Sequence, residues 1–528
     1  MLTYFVVIPV LIAVFLFVFS SNKSARVLAI FFQSLFVAFS FYLLLVVRDA
    51  PIISIVGVYD SLMSITLHAN FISAAFILLT STIFLAVSAY SFNEEGSRTF
   101  WFLLFILEAA LVGLFLSRDL FNIFVMVEVG TVVVTILTMY YRVRRQMFTG
   151  MVYLMLNIVA MQFYLFGIGY IYMLTDAFDI THAAAVIATL DRQTLALPYA
   201  LIMTGMAFKC SLIPIFSFVP KVKLYPGAPS AVVAILSGVQ IKTNVFLFLQ
   251  FQELFGPFAS TDFFLIVGIV VSLTGVFMAI CQTSIRMILA YHTISQVGLI
   301  IIGLSAGNEY SFIGGLYHII SHGVFKSALF LTAGIIAHAY GTSDVYKIRG
   351  VLRRYPLVGV ATAAAVLGIT GAPFFIGSIS KYFLTANAPP LVEWSVIIIS
   401  VGTIISFIKY SGILFGKSDL VGDQPVPDKW RLVPSVALGA VCLLGGVFGP
   451  QIVRFLFVTT ASVDVLGYIQ KAGIFFASAA VGLLIYKYIV NGNKLLKRIG
   501  KMDMSFKLAC ASMGGFFAIV LVVVGYMG

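Results

Sequence analysis

The sequence predicts an all-α, polytopic integral membrane protein, and three observations carry that expectation. The first is composition: 61% of the 528 residues are hydrophobic and 10% are charged, with a mean hydropathy of +1.09. Soluble domains carry about 25% charged residues. The second is length: apolar runs of about 20 residues, enough to cross a bilayer as a helix, recur along the whole chain. Sixteen can be placed, centred near residues 11, 37, 80, 108, 130, 161, 209, 240, 272, 295, 325, 370, 404, 444, 480 and 517. The third is where the basic residues fall. Numbering the fifteen connections between spans, odd connections hold 22 of the 32 Lys and Arg residues and even ones hold 5. That asymmetry follows the positive-inside rule, so odd connections are expected in the cytoplasm and both termini on the outer side of a prokaryotic cell membrane.

Taken in order, residues 1–98 hold spans 1–3 and residues 99–255 hold spans 4–8. Spans 9–13 fall in 256–415, and spans 14–16 in 416–528. The first run, Leu2 to Ser20, has no basic n-region and no A-x-A-like cleavage site, so it reads as a retained helix and not a signal peptide. The longest polar stretches, Thr175–Pro198, Thr342–Pro356, Gly416–Pro434 and Asn491–Phe506, are loop-sized.

The net charge of +12 would suit nucleic acid, but its loop-by-loop alternation argues for membrane topology instead. Cys210, Cys281, Cys442 and Cys510 are far apart and read as small packing residues, with no C-x-x-C or cluster-ligand spacing. No Gly-rich nucleotide loop follows a strand. The chain is therefore expected to hold no cofactor, no metal and no catalytic residue of its own. Whether it works within an enzyme is left open by these features.

Two spans place a lysine and a proline in comparable settings. Span 7 reads Phe208-Lys-Cys-Ser-Leu-Ile-Pro214, and span 12 carries Pro373 before Lys381. Proline breaks a helix, and inside a membrane a break survives where it is buried in protein or lines a wet cavity. Spans 8 and 13 follow with Lys242 and Lys409. Five-span units covering spans 4–8 and 9–13 account for this pattern. Because five is odd, the units run in opposite directions, as inverted repeats.

Charged residues within the spans are the functional candidates, since a charge at the bilayer centre costs about 2.5–3.5 kcal/mol even on the lenient insertion scale. Glu128 lies nine residues into Asp119-Leu-Phe-Asn-Ile-Phe-Val-Met-Val-Glu128, with Lys209 at similar depth as its expected partner. Separating such a pair changes the proton affinity of both groups; the alternative is a static ion pair that fixes packing. On span 11, His318, His322 and Lys326 are four residues apart, stacking along one face over about 12 Å. Imidazoles in line with an ammonium suit a proton relay; helix–helix hydrogen bonding is the rival, and zinc binding lacks a third ligand. Lys242 sits mid-span. Lys381 and Lys409 lie nearer span ends, where snorkelling to the interface competes with function. Glu108 is a further buried acid with no partner legible in the sequence, and His292 reads as lying near a cytoplasmic interface with no assigned role.

Three segments resemble the antiporter-like subunits shared by Mrp-type cation/proton antiporters, membrane-bound hydrogenases and respiratory complex I. They are Asp119–Glu128; Phe208–Pro214 continuing through Ala228-Pro-Ser-Ala-Val-Val-Ala-Ile-Leu-Ser-Gly-Val-Gln-Ile-Lys-Thr243; and Ala290-Tyr-His-Thr-Ile-Ser-Gln-Val-Gly298 with His318–Gly334. The run Ala461–Gln470 is similar to the tail of the D-type subunit of Mrp antiporters. The resemblance implies a fourteen-helix core with two inverted five-helix repeats, broken helices 7 and 12, and a polar axis through Glu128, Lys209, Lys242, the span 11 histidines and Lys381. Two features depart from it. Where the family often has Ala-His before Ala228, this chain reads Lys223-Leu-Tyr-Pro-Gly227, and spans 15 and 16 are additional. Those two suit either a neighbour's contact surface or a lateral clamp.

The function expected is a proton-translocating subunit of a multi-subunit cation/proton antiporter, with sodium the expected cation. The alternative is an ion-pumping subunit of a redox-driven complex such as a membrane-bound hydrogenase or NADH:quinone oxidoreductase. Either way the partners are other membrane subunits, lipid and protons, and no nucleic acid. The proton pathway would use Glu128, Lys209, Lys242, His318, His322, Lys326, Lys381 and Lys409.

Overall fold

The computed structural model describes residues 1–57, 64–93, 97–212, 225–417, 427–502 and 505–526. Four helices lead in: α1 (Thr3–Phe19), α2 (Asn22–Val46), α3 (Phe71–Tyr90) and α4 (Arg98–Leu116). Next come α5 (Leu120–Thr138), α6 (Arg144–Thr175), the short α7 (Ile180–Ile187) and α8 (Arg192–Cys210). After α9 (Ser230–Ile235), a π turn at Leu236–Gln240 leads into α10 (Ile241–Phe255). Then follow α11 (Thr261–Cys281), α12 (Ile285–Ser305), α13 (Glu309–Tyr340), the short α14 (Val351–Arg354), α15 (Pro356–Thr370), α16 (Ile376–Thr385) and α17 (Pro390–Ser411). The last five are α18 (Lys429–Val447), α19 (Gly449–Phe457), α20 (Val465–Ile485), α21 (Lys494–Ile499) and α22 (Phe506–Tyr526).

Thirteen helices among the described residues are long and apolar enough to cross a membrane. The other three of the sixteen expected centres fall on α1, α8 and α15, which do not meet that test; α1 and α15 are shorter than the rest. One departure from all-α expectation is a small hairpin, β1 (Ile52–Val56) against β2 (Ile65–Ala69), antiparallel with Ile52 opposite Ala69. Its isoleucine-rich strands suit a pleated, half-buried ribbon. Thr66 O accepts from Arg118 N at 2.9 Å, so the ribbon docks at the start of α5.

Local chemistry sets the helix ends. Asp119 caps α5 by accepting from Asn122 N at 2.6 Å, and Asn308 caps α13 by accepting from Ser311 N at 2.8 Å. Each satisfies a donor that the first helical turn leaves orphaned. Between α15 and α16 the chain leaves helix for Gly371 (φ +82) and Phe374 (φ +68), around Pro373. Helix α8 ends at Cys210 with Ser211 left-handed at φ +61; Pro214 lies outside the described residues.

A geometric repetition runs through the chain. Helices α6 and α13 each have 32 residues. Asp119 forms an isolated antiparallel bridge with Asp179, and Ser284 forms one with Asp344, sixty residues apart in each case. So α5 and α12 both start from a tie to the segment that follows the long helix.

Helix α13 is buried along most of its length, which puts its polar residues at the centre of the bundle. Small residues let helices approach closely in lipid. A β-carbon at Gly275 of α11 would meet Ser295 N of α12 at 2.7 Å. Gly275→Leu is therefore expected to lower stability by the ~1–3 kcal/mol typical of overpacking, read as a drop in melting temperature of the detergent-solubilised complex. The C-terminal helices pack at separate places. Helix α20 packs on α17, Gly500 O just after α21 accepts from Gln282 Nε2 at 3.1 Å, and α22 packs on α8 and α6.

Candidate proton-pathway site

The acid–base pair expected between spans 5 and 7 is present. Lys209 Nζ lies 3.9 Å from Glu128 Oε1 and donates to Thr131 Oγ1 at 2.7 Å. Thr131 is one turn beyond Glu128 on α5, so one helix face holds the ammonium twice. The two partners are not equally enclosed: the Lys209 side chain is 5% exposed and the Glu128 side chain 25%. Glu128 thus sits at the edge of the bundle, on the face that also shows Val125, Val129 and Val132. Asp119, which opens the same segment, lies before the span; burial pushes its carboxyl above the usual range, against hydrogen bonds from backbone N–H groups.

A cavity with about 50 Å³ of room for water separates Lys209 from the next helix, lined by Tyr153, Gln240, Asn244 and Thr293 among others. One water needs about 10–15 Å³ measured this way, so several fit. Asn244 Nδ2 spans part of the gap, donating to Gln240 O at 3.2 Å and reaching Lys209 O at 3.5 Å.

Beyond the cavity lies the π turn, a backbone form frequent at functional sites. Within it, Ser237 O accepts from Lys242 Nζ. Ser237 Oγ and Thr293 Oγ1 are 2.7 Å apart. Thr293 Oγ1 also donates to Leu289 O at 3.2 Å, and Leu289 O accepts from Lys326 Nζ at 2.5 Å. Two buried lysines thereby flank one polar cluster at α12, Lys242 through the backbone oxygen of Ser237 and Lys326 through Leu289 O, with the Ser237 and Thr293 hydroxyls between them. Gly238 in the π turn packs against Ser327 on α13, leaving no room for a side chain there.

The histidines of α13 do not bond to one another. His318 Nε2 lies 3.0 Å from Gln296 Oε1, and Nδ1 lies 2.9 Å from Ser380 Oγ. An amide oxygen only accepts, so Nε2 carries the hydrogen in this arrangement. Ser380 is the residue before Lys381, so this bond brings His318 to α16. Neither nitrogen of His322 has a hydrogen-bond partner among the described residues, although the side chain is fully buried. Lys381 Nζ donates to Thr370 O at 2.9 Å, an end carbonyl that the break exposes.

Lys409 does not snorkel. It is 3% exposed, and its Nζ donates to Ile280 O and Gln282 O, both at 2.6 Å, with Ala279 O at 3.4 Å. It caps the C-terminal carbonyls of α11, where a cation is favoured by the helix dipole.

Two residues were underread in the sequence. His292, expected near an interface, is fully buried, with Nε2 bonded to Ser406 Oγ on α17. Its place two turns inside α12, one turn before Gln296, was the available signal. Glu108 has a partner after all: Gln33 Nε2 donates to its Oε1 at 2.6 Å from α2. Among the described residues no group of His, Cys, Asp or Glu has the arrangement of a metal site.

Comparison with known proteins agrees with this architecture. Residues 117–406 match the family described as NADH:quinone oxidoreductase/Mrp antiporter, TM. The chain is 29% identical to the N-type subunit of the NADH-quinone oxidoreductase of Desulforudis audaxviator, over 68% of this chain and 76% of that protein. It is 28% identical to the D-type subunit of the Na(+)/H(+) antiporter of Alkalihalophilus pseudofirmus, over 72% of this chain and 79% of that one. Among solved structures, a chain of the Mrp complex from Dietzia sp. superposes with a TM-score of 0.74 at 23% identity, over 100% of this chain and 99% of that one. A chain of the archaeal membrane-bound sulfane sulfur reductase superposes with a TM-score of 0.79 at 19% identity, covering 91% and 99% of the two chains. These two likenesses are of fold.

Proposed function

The chain belongs to the NADH:quinone oxidoreductase/Mrp antiporter membrane family, and on that premise we propose that it is the proton-translocating subunit of a multi-subunit cation/proton antiporter of the Mrp type. The observation that carries this reading is the continuity of polar groups through the bundle. The Glu128–Lys209 pair opens on a cavity, the cavity reaches Thr293, and Thr293 joins Lys242 to Lys326.

The proposed cycle uses this order. While Glu128 holds Lys209, the positive charge is offset locally. When the pair separates, the carboxylate no longer offsets the Lys209 charge, and its field reaches Lys242 within the buried interior of the bundle. Protons on Lys242 and Lys326 repel each other, so a proton arriving at one favours departure from the other. From Lys326 the path runs one turn back on α13 to His322 and another to His318, which Gln296 and Ser380 hold toward Lys381. The matched bridges at Asp119–Asp179 and Ser284–Asp344 support two repeated units, 99–255 and 256–415, the second inverted. With odd connections cytoplasmic, both termini lie outside, and the exposed edge of Glu128 faces a neighbouring subunit.

Sodium is the proposed counter-ion, since a relative of similar length carries Na(+)/H(+) antiporter in its name. A second reading, the ion-pumping subunit of a redox-driven complex, is favoured by the NADH-quinone oxidoreductase relative, which matches a similar share of the chain. Inverted vesicles carrying the whole complex separate the two. Dissipation of an imposed proton gradient on adding Na⁺, without any electron donor, is the result expected. Gradient formation that needs an electron donor and ignores Na⁺ would favour the second reading.

A further inference from the structure

We propose that α20 closes an aqueous chamber on Lys381 and that the Lys471–Glu393 ion pair is the gate of that chamber toward the outer side. This rests on the proton-pathway reading above and gives Lys381 its exit.

The chamber has about 70 Å³ of room for water, between the broken segment, α17 and α20. By the figure of about 10–15 Å³ per water, it holds several molecules. Lys381 lies on one side, and the hydroxyls of Thr370, Ser378, Ser400 and Ser478 contribute to the walls. Hydroxyls both donate and accept, so within a wall that is otherwise largely apolar they are the groups, with Lys381 itself, that can hold water.

Helix α20 is fastened to this chamber at its N-terminal end. Tyr468 OH accepts from Phe374 N at 2.9 Å, in the break itself, and lies 2.8 Å from Ser378 Oγ. Asp464 N donates to Tyr382 OH at 2.9 Å. One turn further on, Lys471 bonds to Glu393 of α17, with side chains 28% and 38% exposed. The ion pair is therefore the part-exposed edge of the chamber, and Lys381 lies on its inner side. Lys471 belongs to an even connection in the sequence, expected on the outer side, and lies near the start of α20; Glu393 lies in the first turn of α17. Where water reaches it, such a pair is weak and opens readily, which suits a gate and not a structural clasp. Helix α20 lies beyond residues 117–406, the stretch that matches the family model.

The test places a thiol in the chamber without touching the gate. Ser400→Cys is made in the whole complex and treated in sealed vesicles of each orientation with a membrane-impermeant cationic methanethiosulfonate; labelling is read as added mass on this subunit, against the unsubstituted complex. Labelling from one orientation only, with loss of cation-driven proton flux on modification, is the expected result. Glu393→Gln should raise the labelling rate about fivefold, the population change an exposed ion pair is worth. Lys471→Gln serves the same purpose should that variant fail to assemble. No labelling from either side, or labelling that leaves flux unchanged, would overturn the proposal. Labelling is read without transport, so a complex that carries no proton flux at all still reports on the chamber, while refuting the wider pathway.

Discussion

Lys242→Ala is expected to cut cation-driven proton flux by about 10²-fold or more, the low end of what a positioned proton-transfer group contributes. Its Nζ meets Ser237 O at the π turn, and Ser237 reaches Thr293 and through it Leu289 O and Lys326. Alanine removes the titratable group at the head of that chain and leaves Lys326 without a coupled lysine. Assembly should persist, because among the described residues Lys242 bonds to a backbone carbonyl of its own chain segment, Ser237 O, and not to another helix. Flux is measured in inverted vesicles and subunit content on a native gel. Unchanged flux with normal assembly would show Lys242 to be a packing group.

The second large effect separates transport from stability. His322 is fully buried and neither ring nitrogen has a hydrogen-bond partner among the described residues. A buried polar group in that state costs about 1–3 kcal/mol, and an apolar group of similar size removes the cost. His322→Leu should therefore leave the melting temperature of the complex unchanged or raised, while flux falls about tenfold or more, as a proton-transfer group is lost. His318→Leu should lose both, since His318 is tied to Gln296 and Ser380. A His322→Leu complex with full flux would remove that imidazole from the path.

Much of this arrangement was legible because the membrane restricts the alternatives. A lysine or glutamate inside an apolar run has few tolerable settings, so matching depth was enough to pair Glu128 with Lys209. The i, i+4 stripe of α13 likewise showed that His318, His322 and Lys326 share a face. It did not show where each side chain bonds. His318 and Lys326 reach across to other helices and not along their own, and such partners are set by packing between segments distant in sequence. Gln33 with Glu108 is the clearest case: 75 residues separate them, and neither sequence neighbourhood points to the other. His292 was misplaced for a different reason. Its helix begins at Ile285, so it lies two turns in, and polar neighbours made that stretch look like a span end. Lys409 shows how a charge can satisfy burial without leaving the membrane, by capping the carbonyls of α11. Span hydropathy carries no information about a neighbour's helix end.

The most direct test of the switch is the proton flux of Glu128→Ala and Lys209→Ala, each in the whole complex in inverted vesicles with Na⁺ as the driving cation. The side chains lie 3.9 Å apart, one enclosed and one at the edge of the bundle. The account predicts that both substitutions abolish flux while the complex remains intact on a native gel, and that the double substitution is no worse than either alone. Normal flux in both single variants would make the pair a static contact between α5 and α8, and would contradict the mechanism while leaving the fold and family as they stand.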